Sequence, residues 1–241
     1  MADTSPDRSC ISLPVEAMQR FGYRIVDLLA EHFAQMEHGP VGAKADPAQI
    51  IPLFDREPSE HGRDPQEILA QLERDVFPNN LHVDHPRFFA FVPGPNNFVS
   101  AMADALAAGF NVFNGTWFGG SAAAALELGL IRWLCRVCGL PADAGGLFVS
   151  GGSMANLTAL VAARHARLND RIEGAVVYVS DQTHSSDERA LRVIGFAPDQ
   201  LRKIQSDSEF KLPLAHLRLA IGEDRARGLQ PFCIIANAAA R

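Results

Sequence analysis

Long apolar runs are missing from this 241-residue chain. No segment approaches the roughly 20 residues that a membrane span needs. Basic charge is scarce as well, with 22 Lys plus Arg against 28 Asp plus Glu and a formal net charge of −6. That balance offers no general attraction to nucleic acid, and no stretch gathers Lys and Arg on one face as a phosphate backbone requires. The opening MADTSPDRSC is polar and acidic where a secretory signal is basic and then apolar, so the expected address is cytoplasmic. Internal repeats and low-complexity tracts are absent. Cysteine is sparse: Cys10, Cys135, Cys138 and Cys233 include one C-x-x-C, but no second pair of Cys or His completes four zinc ligands. The run LIRWLCRVCGLP reads instead as a helix ending at Gly139 and Pro141, with buried cysteines and no metal.

What is present is an ordinary globular balance, 47% hydrophobic and 21% charged, long enough to bury a sizeable core. Residues 14–37 place Met18, Phe21, Ile25, Leu28, Leu29 and Phe33 at helical spacing, which predicts one long amphipathic helix. A Gly- and Pro-rich linker follows, then DPQEILAQLERDVFP, a second helix with Asp64 as its cap and Pro78 as its stop. These helices carry apolar faces without a sheet of their own, so they need a surface elsewhere, such as a second subunit.

From HPRFFAFVPGPNN (85–97) the texture changes. A proline-punctuated aromatic loop leads into the small-residue helix NFVSAMADALAAGFNVF, and residues 121–138 form another helix. Strand-like GAVVYVS (174–180), helical HSSDERALRVIGF, then LRKIQS and PFCIIANA (231–238) alternate as an α/β layer with a largely parallel sheet would. PFCIIANA reads as a buried strand with only Ala239, Ala240 and Arg241 after it, whereas parallel sheets are covered on both faces. The expectation is a chain that stops partway through a domain.

The stretch VSGGSMANLTALVAARHARLND (149–170) holds the strongest chemical signal. Val149 would close a strand, and Gly151, Gly152 and Ser153 would leave amides free at the start of a helix whose apolar positions include Leu157, Leu160 and Val161. Such a turn binds anions. A tight strand-to-helix connection with Ser153 as an ordinary N-cap accounts for the same residues.

Taken in order, HPRFFAFVP, GTWFGGSAAAALELGLIRWLCRVCGLP, SGGSMANLTALVAARHAR and VYVSDQTHSSDERALRVIGF resemble the pyridoxal-phosphate-dependent decarboxylases of the aromatic-L-amino-acid decarboxylase group. EAMQRFGYRIVDLLAEHF is similar to that group's N-terminal segment. The resemblance implies an α/β fold, the PLP-dependent transferase-like (fold type I) large domain, here incomplete. It is preceded by an N-terminal helical segment that wraps a partner in a homodimer. The implied division is a dimerisation segment over 1–84 and the N-terminal part of the cofactor domain over 85–241. The implied cofactor is pyridoxal 5'-phosphate and the implied substrate an L-amino acid.

By the same resemblance, Gly152 and Ser153 hold the cofactor phosphate, and His184, in DQTHSS, stacks on its pyridine ring beside the substrate carboxylate. A ring held flat there keeps the breaking bond perpendicular to the conjugated plane. Pro93 and Gly94 fall in the segment that lines the substrate pocket across the dimer, while Phe88 and Phe89 read as core. Gly94 stands where relatives carry a hydroxyl and Ala125 where a glutamate is common. Asn156 is read as packing or capping, outside the site.

The chemistry also needs a lysine to bond the cofactor aldehyde and an aspartate to keep the ring nitrogen protonated. Only Lys44, Lys203 and Lys211 exist, the first in the linker and the others beside a polar loop, and all three read as solvated. The resemblance puts the catalytic lysine after CIIANA, where Ala239 and Ala240 replace a Gly-Thr. The expectation is therefore an amino-acid decarboxylase by lineage that does not turn over as this chain alone. The alternative is a non-catalytic piece that binds a phosphate-bearing ligand or a partner subunit.

Overall fold

The helical periodicity of residues 14–37 is realised as α1 (Val15–Gln35), which continues through one 3-10 turn to His38. The computed structural model describes residues 13–57 and 60–237; Cys10, Ala239 and Ala240 lie outside them. Asp46 and Asp64 each accept an amide two residues on, at 2.9 and 2.8 Å, and each is followed by proline at the first helical position. These are strong start signals. They open α2 (Pro47–Phe54) and α3 (Pro65–Gln71), and α3 runs on through a π turn at Leu72–Val76 and a 3-10 turn at Phe77–Asn79. Asn97 and Ser100 form a reciprocal capping box at the start of α4 (Phe98–Phe110).

These elements belong to one compact unit, Met1–Phe113, and the rest of the chain to a second, Asn114–Arg241. The first unit extends through α4, because α4 rests on α1 and Phe98 meets Phe33 edge to face at 6.3 Å.

The second unit opens with α5 (Trp117–Val137), started by Thr116 and bent at Gly120. Next come α6 (Gly152–Leu168), β1 (Ala175–Ser180), α7 (Ser185–Val193), β2 (Leu201–Ile204), α8 (Leu214–Ala226) and β3 (Gln230–Ile234). The strands form a parallel sheet in the order β2-β1-β3, with Val177 opposite both Leu201 and Cys233. Strand periodicity sends Ala175, Val177 and Val179 to one face, against Leu160, Leu191 and Phe196 from α6, α7 and the turn beyond it. Val176 and Tyr178 go to the other, against Leu217 and Ala220 of α8. With both faces covered, β1 is almost wholly apolar and buried.

Two expectations about strands need correction. Residues around Val149 form no strand, since none of the described strands runs beside them; Phe148 instead donates its amide to Glu127 at 2.9 Å. The strand within PFCIIANA is half-buried rather than buried, because among the described residues β3 pairs only with β1 and lies at the sheet edge. Among the described residues, no helix is long and apolar enough to cross a membrane.

Candidate functional site

The carboxyl ends of parallel strands collect loops, and here the loop after β1 leads to His184. Ser180 organises it: its hydroxyl accepts the Gln182 amide at 3.2 Å and pairs with the Thr183 hydroxyl at 3.3 Å. Asp181 reaches across to accept the amide and hydroxyl of Ser206 beyond β2, and those bonds hold its carboxyl below the usual range. The loop therefore delivers the next residue, His184, to a fixed place.

His184 is the N-cap of α7. Its Nδ1 accepts the Ser186 amide at 3.2 Å and lies 2.8 Å from the Ser186 hydroxyl. Ser186 is only 4% exposed, and its hydroxyl in turn accepts from the Asn156 amide at 3.2 Å. A hydrogen-bonded chain thus runs from the first turns of α6 to the imidazole at the start of α7, although Asn156 and Ser186 are thirty residues apart. Beneath it, burial pushes the Asp187 carboxyl up from its ordinary range while the nearby His184 pulls it down.

Three residues before Asn156, the α6 turn is open. Gly151 is the N-cap at φ 156° and ψ 175°, a conformation that only glycine adopts comfortably. It has no side chain, and among the described residues no other side chain caps the helix. Ser153 is therefore not the N-cap; it is the second helical residue, exposed to solvent. The first carbonyl bonds, from Met154 and Ala155 to Gly151, leave the Gly152 and Ser153 amides without an intrahelical acceptor. A side chain added at Gly151 or Gly152 would meet nothing within 4 Å among the described residues. A 17-residue helix starting with free amides, open space and a hydroxyl suits an anion.

His184 also borders a cleft of about 30 Å³ with Val179, Ser180, Thr183, Glu188 and Lys203; Gly152 and Ser153 do not line it. Lys203 is exposed at the β2 side of the polar loop that Lys211 borders from the other side. It is on β2, and its ammonium holds Glu188 at 2.8 Å, keeping that carboxyl low. Lys211 pairs with Glu209, and Lys44 is exposed.

Pro93 and Gly94 sit in the first unit on the loop before α4, Pro93 half-buried and Gly94 exposed with open space around it. Phe88 is half-buried and meets Phe91, but Phe89 is 89% exposed, which overturns its reading as core. At the base of the aromatic run buried His85 accepts the Arg87 amide on Nδ1 and bonds the Gly39 carbonyl through Nε2 at 3.2 Å. Cys135, Cys138 and Cys233 are free thiols, and the described residues contain no group of three or more His, Cys, Asp or Glu placed to hold a metal.

Ser186 and His85 were not singled out in the sequence, and Asn156, read there as packing or capping, bonds Ser186. Asn156 did leave a trace: it lies four residues before buried Leu160, so it interrupts the apolar stripe of α6 with an amide that needs a partner.

Comparison with known proteins adds independent findings. The profile of the pyridoxal-dependent decarboxylase conserved domain matches residues 47–240. An aromatic-L-amino-acid decarboxylase of Bacillus atrophaeus is 49% identical over 95% of this chain and 48% of its own length. A phenylacetaldehyde synthase of Petunia hybrida is 32% identical over 93% of this chain and 47% of its own. Among solved structures, Oryza sativa TDC with PLP and tryptamine superposes with a TM-score of 0.81 at 28% identity, covering 92% of this chain and 51% of that one. The chain spans about half the length of the curated relatives it matches.

Proposed function

The chain belongs to the pyridoxal-dependent decarboxylase family, and on that premise we propose that its site serves the decarboxylation of an aromatic L-amino acid to the amine and carbon dioxide. The observation that supports this most is the open, uncapped α6 turn tied through Asn156 and Ser186 to His184. It combines an anion grip with a flat ring in one hydrogen-bonded unit. Pyridoxal 5'-phosphate fits such a donor set, with Gly152 and Ser153 as the residues that would hold its phosphate. When bound, the cofactor supplies an electron sink for the pair left behind by departing carbon dioxide.

The protein's own part is positional. His184 covers the ring face and orients the substrate carboxylate, while Pro93 and Gly94 line a substrate pocket across the dimer. Residues 1–84 serve as the dimerisation segment of a cytoplasmic homodimer, since the apolar side chains of α1 need a cover. None of the three lysines is the one that bonds the cofactor aldehyde, because Lys203 and Lys211 are spent on Glu188 and Glu209 and Lys44 stands in solvent. This chain alone is then a binding unit that does not turn over.

Titration of the purified chain with pyridoxal phosphate, followed by borohydride reduction and peptide mapping, tests both parts. The expected result is saturable binding, competed by inorganic phosphate and weakened several-fold in Ser153→Ala, with no stoichiometric adduct on one lysine. Absence of saturable binding would overturn the cofactor assignment. A stoichiometric adduct at Lys203 would overturn the assignment of that lysine to Glu188 alone. Product analysis with L-tryptophan and L-tyrosine should find neither amine nor aldehyde.

A further inference from the structure

Nδ1 of His184 faces two donors of Ser186, the amide at 3.2 Å and the hydroxyl at 2.8 Å. An amide N–H only donates, so Nδ1 must be the unprotonated nitrogen. The hydroxyl is free to donate as well, because its own oxygen already accepts from Asn156 at 3.2 Å. Every hydrogen in the chain therefore points the same way, from α6 toward the imidazole. The ring's single N–H is left on Nε2, away from α7.

We propose that Asn156 and Ser186 are positioning residues that lock His184 as its Nε2–H tautomer and stop the ring from flipping. This rests on the reading of His184 as the ring that covers the cofactor, and it deepens that reading. A neutral imidazole in water exchanges tautomers and rotates about a broad, roughly two-fold torsion. Pinned through Nδ1 by a buried serine, the ring keeps one face and one donor. The donor is the atom that can address a carboxylate. Asn156 is one turn beyond Ser153, so the turn that grips an anion and the group that orients the ring move together.

The test reads the tautomer directly in the full chain without cofactor. Long-range ¹H–¹⁵N correlation of the ¹⁵N-labelled protein at mildly alkaline pH separates Nδ1 from Nε2 in each imidazole, with His184 assigned by its disappearance in His184→Gln. The expected signal for His184 is a single form protonated on Nε2. In Ser186→Ala the Nδ1–H fraction should rise roughly fivefold, the scale of one neutral hydrogen bond. Asn156→Asp should shift it the same way, since a carboxylate draws the Ser186 hydroxyl toward itself. Ser186→Thr, which keeps the hydroxyl, should restore the original form. A His184 that averages between tautomers in the unaltered chain, or that is unchanged in Ser186→Ala, would overturn the proposal. Pyridoxal phosphate binding is read separately. A locked tautomer without cofactor binding sinks the functional reading and leaves the lock standing; binding with a free tautomer does the reverse.

Discussion

In the second unit β1 buries five of its six residues, whereas in the first the 21-residue α1 buries none. Both were legible as regular elements from their periodicity, and both carry the apolar residues that periodicity requires. The difference lies in what each apolar face meets. β1 has α6 and α7 on one side and α8 on the other; α1 meets α4 along part of one face, and Tyr23, Met18 and Val15 stay in solvent. An amphipathic pattern announces that a face needs cover, and it does not name the cover.

That contrast can be broken most severely at Asp224. It is fully buried, accepts the Tyr178 hydroxyl at 2.8 Å and the Arg202 guanidinium at 3.0 Å, and ties α8 to β1 and β2. Asp224→Ala leaves the buried Tyr178 phenol without its acceptor and the Arg202 guanidinium with Glu223 alone, and the loss in chemical denaturation should be about 3 kcal/mol. Leu191→Ala, which opens a cavity under β1, should cost about 2–5 kcal/mol. If either proved as mild as a surface change, the second unit would not have the core assigned to it.

The next effect is a pH dependence. Burial, then the bond to Asp224, pushes the Tyr178 phenol from 10.0 up to about 12. The folded state therefore favours the protonated form. Its contribution is complete below about pH 10, falls as the unfolded chain ionises, and is lost by about pH 12. Tyr178→Phe should be less stable at neutral pH and should flatten that alkaline limb, which denaturation across the range would measure.

The smallest effects belong to the first unit. Asp64→Ala removes the α3 cap and should cost about 1 kcal/mol, read as faster amide exchange near Gln66. Tyr23→Ala, on the exposed side of α1, should stay within about 0.5 kcal/mol in the chain by itself. A loss of several kcal/mol there would show that α1 is covered in solution, and would make the two units alike.

Much of the chain was readable in advance. The helices of α1, α3 and α4, the strands β1 and β2, and the free amides of the α6 turn follow from caps, periods and glycine, which act over a few residues. Val149 misled because a strand exists only beside another strand. Phe89 misled because an aromatic run predicts burial on average, whereas the packing around each ring decides which of them turns inward.

Local chemistry along the chain thus determined the elements, their starts and stops, and which residues could carry charge or accept a proton. Tertiary structure alone decided that Asn156 meets Ser186 across thirty residues, that Ser186 turns its hydroxyl to His184, and that Asp224 closes on Tyr178 and Arg202. The physical reason is the reach of the forces. Backbone propensity and capping are settled between neighbours in sequence, whereas a hydrogen bond between helices forms only once buried side chains have fixed where each helix lies.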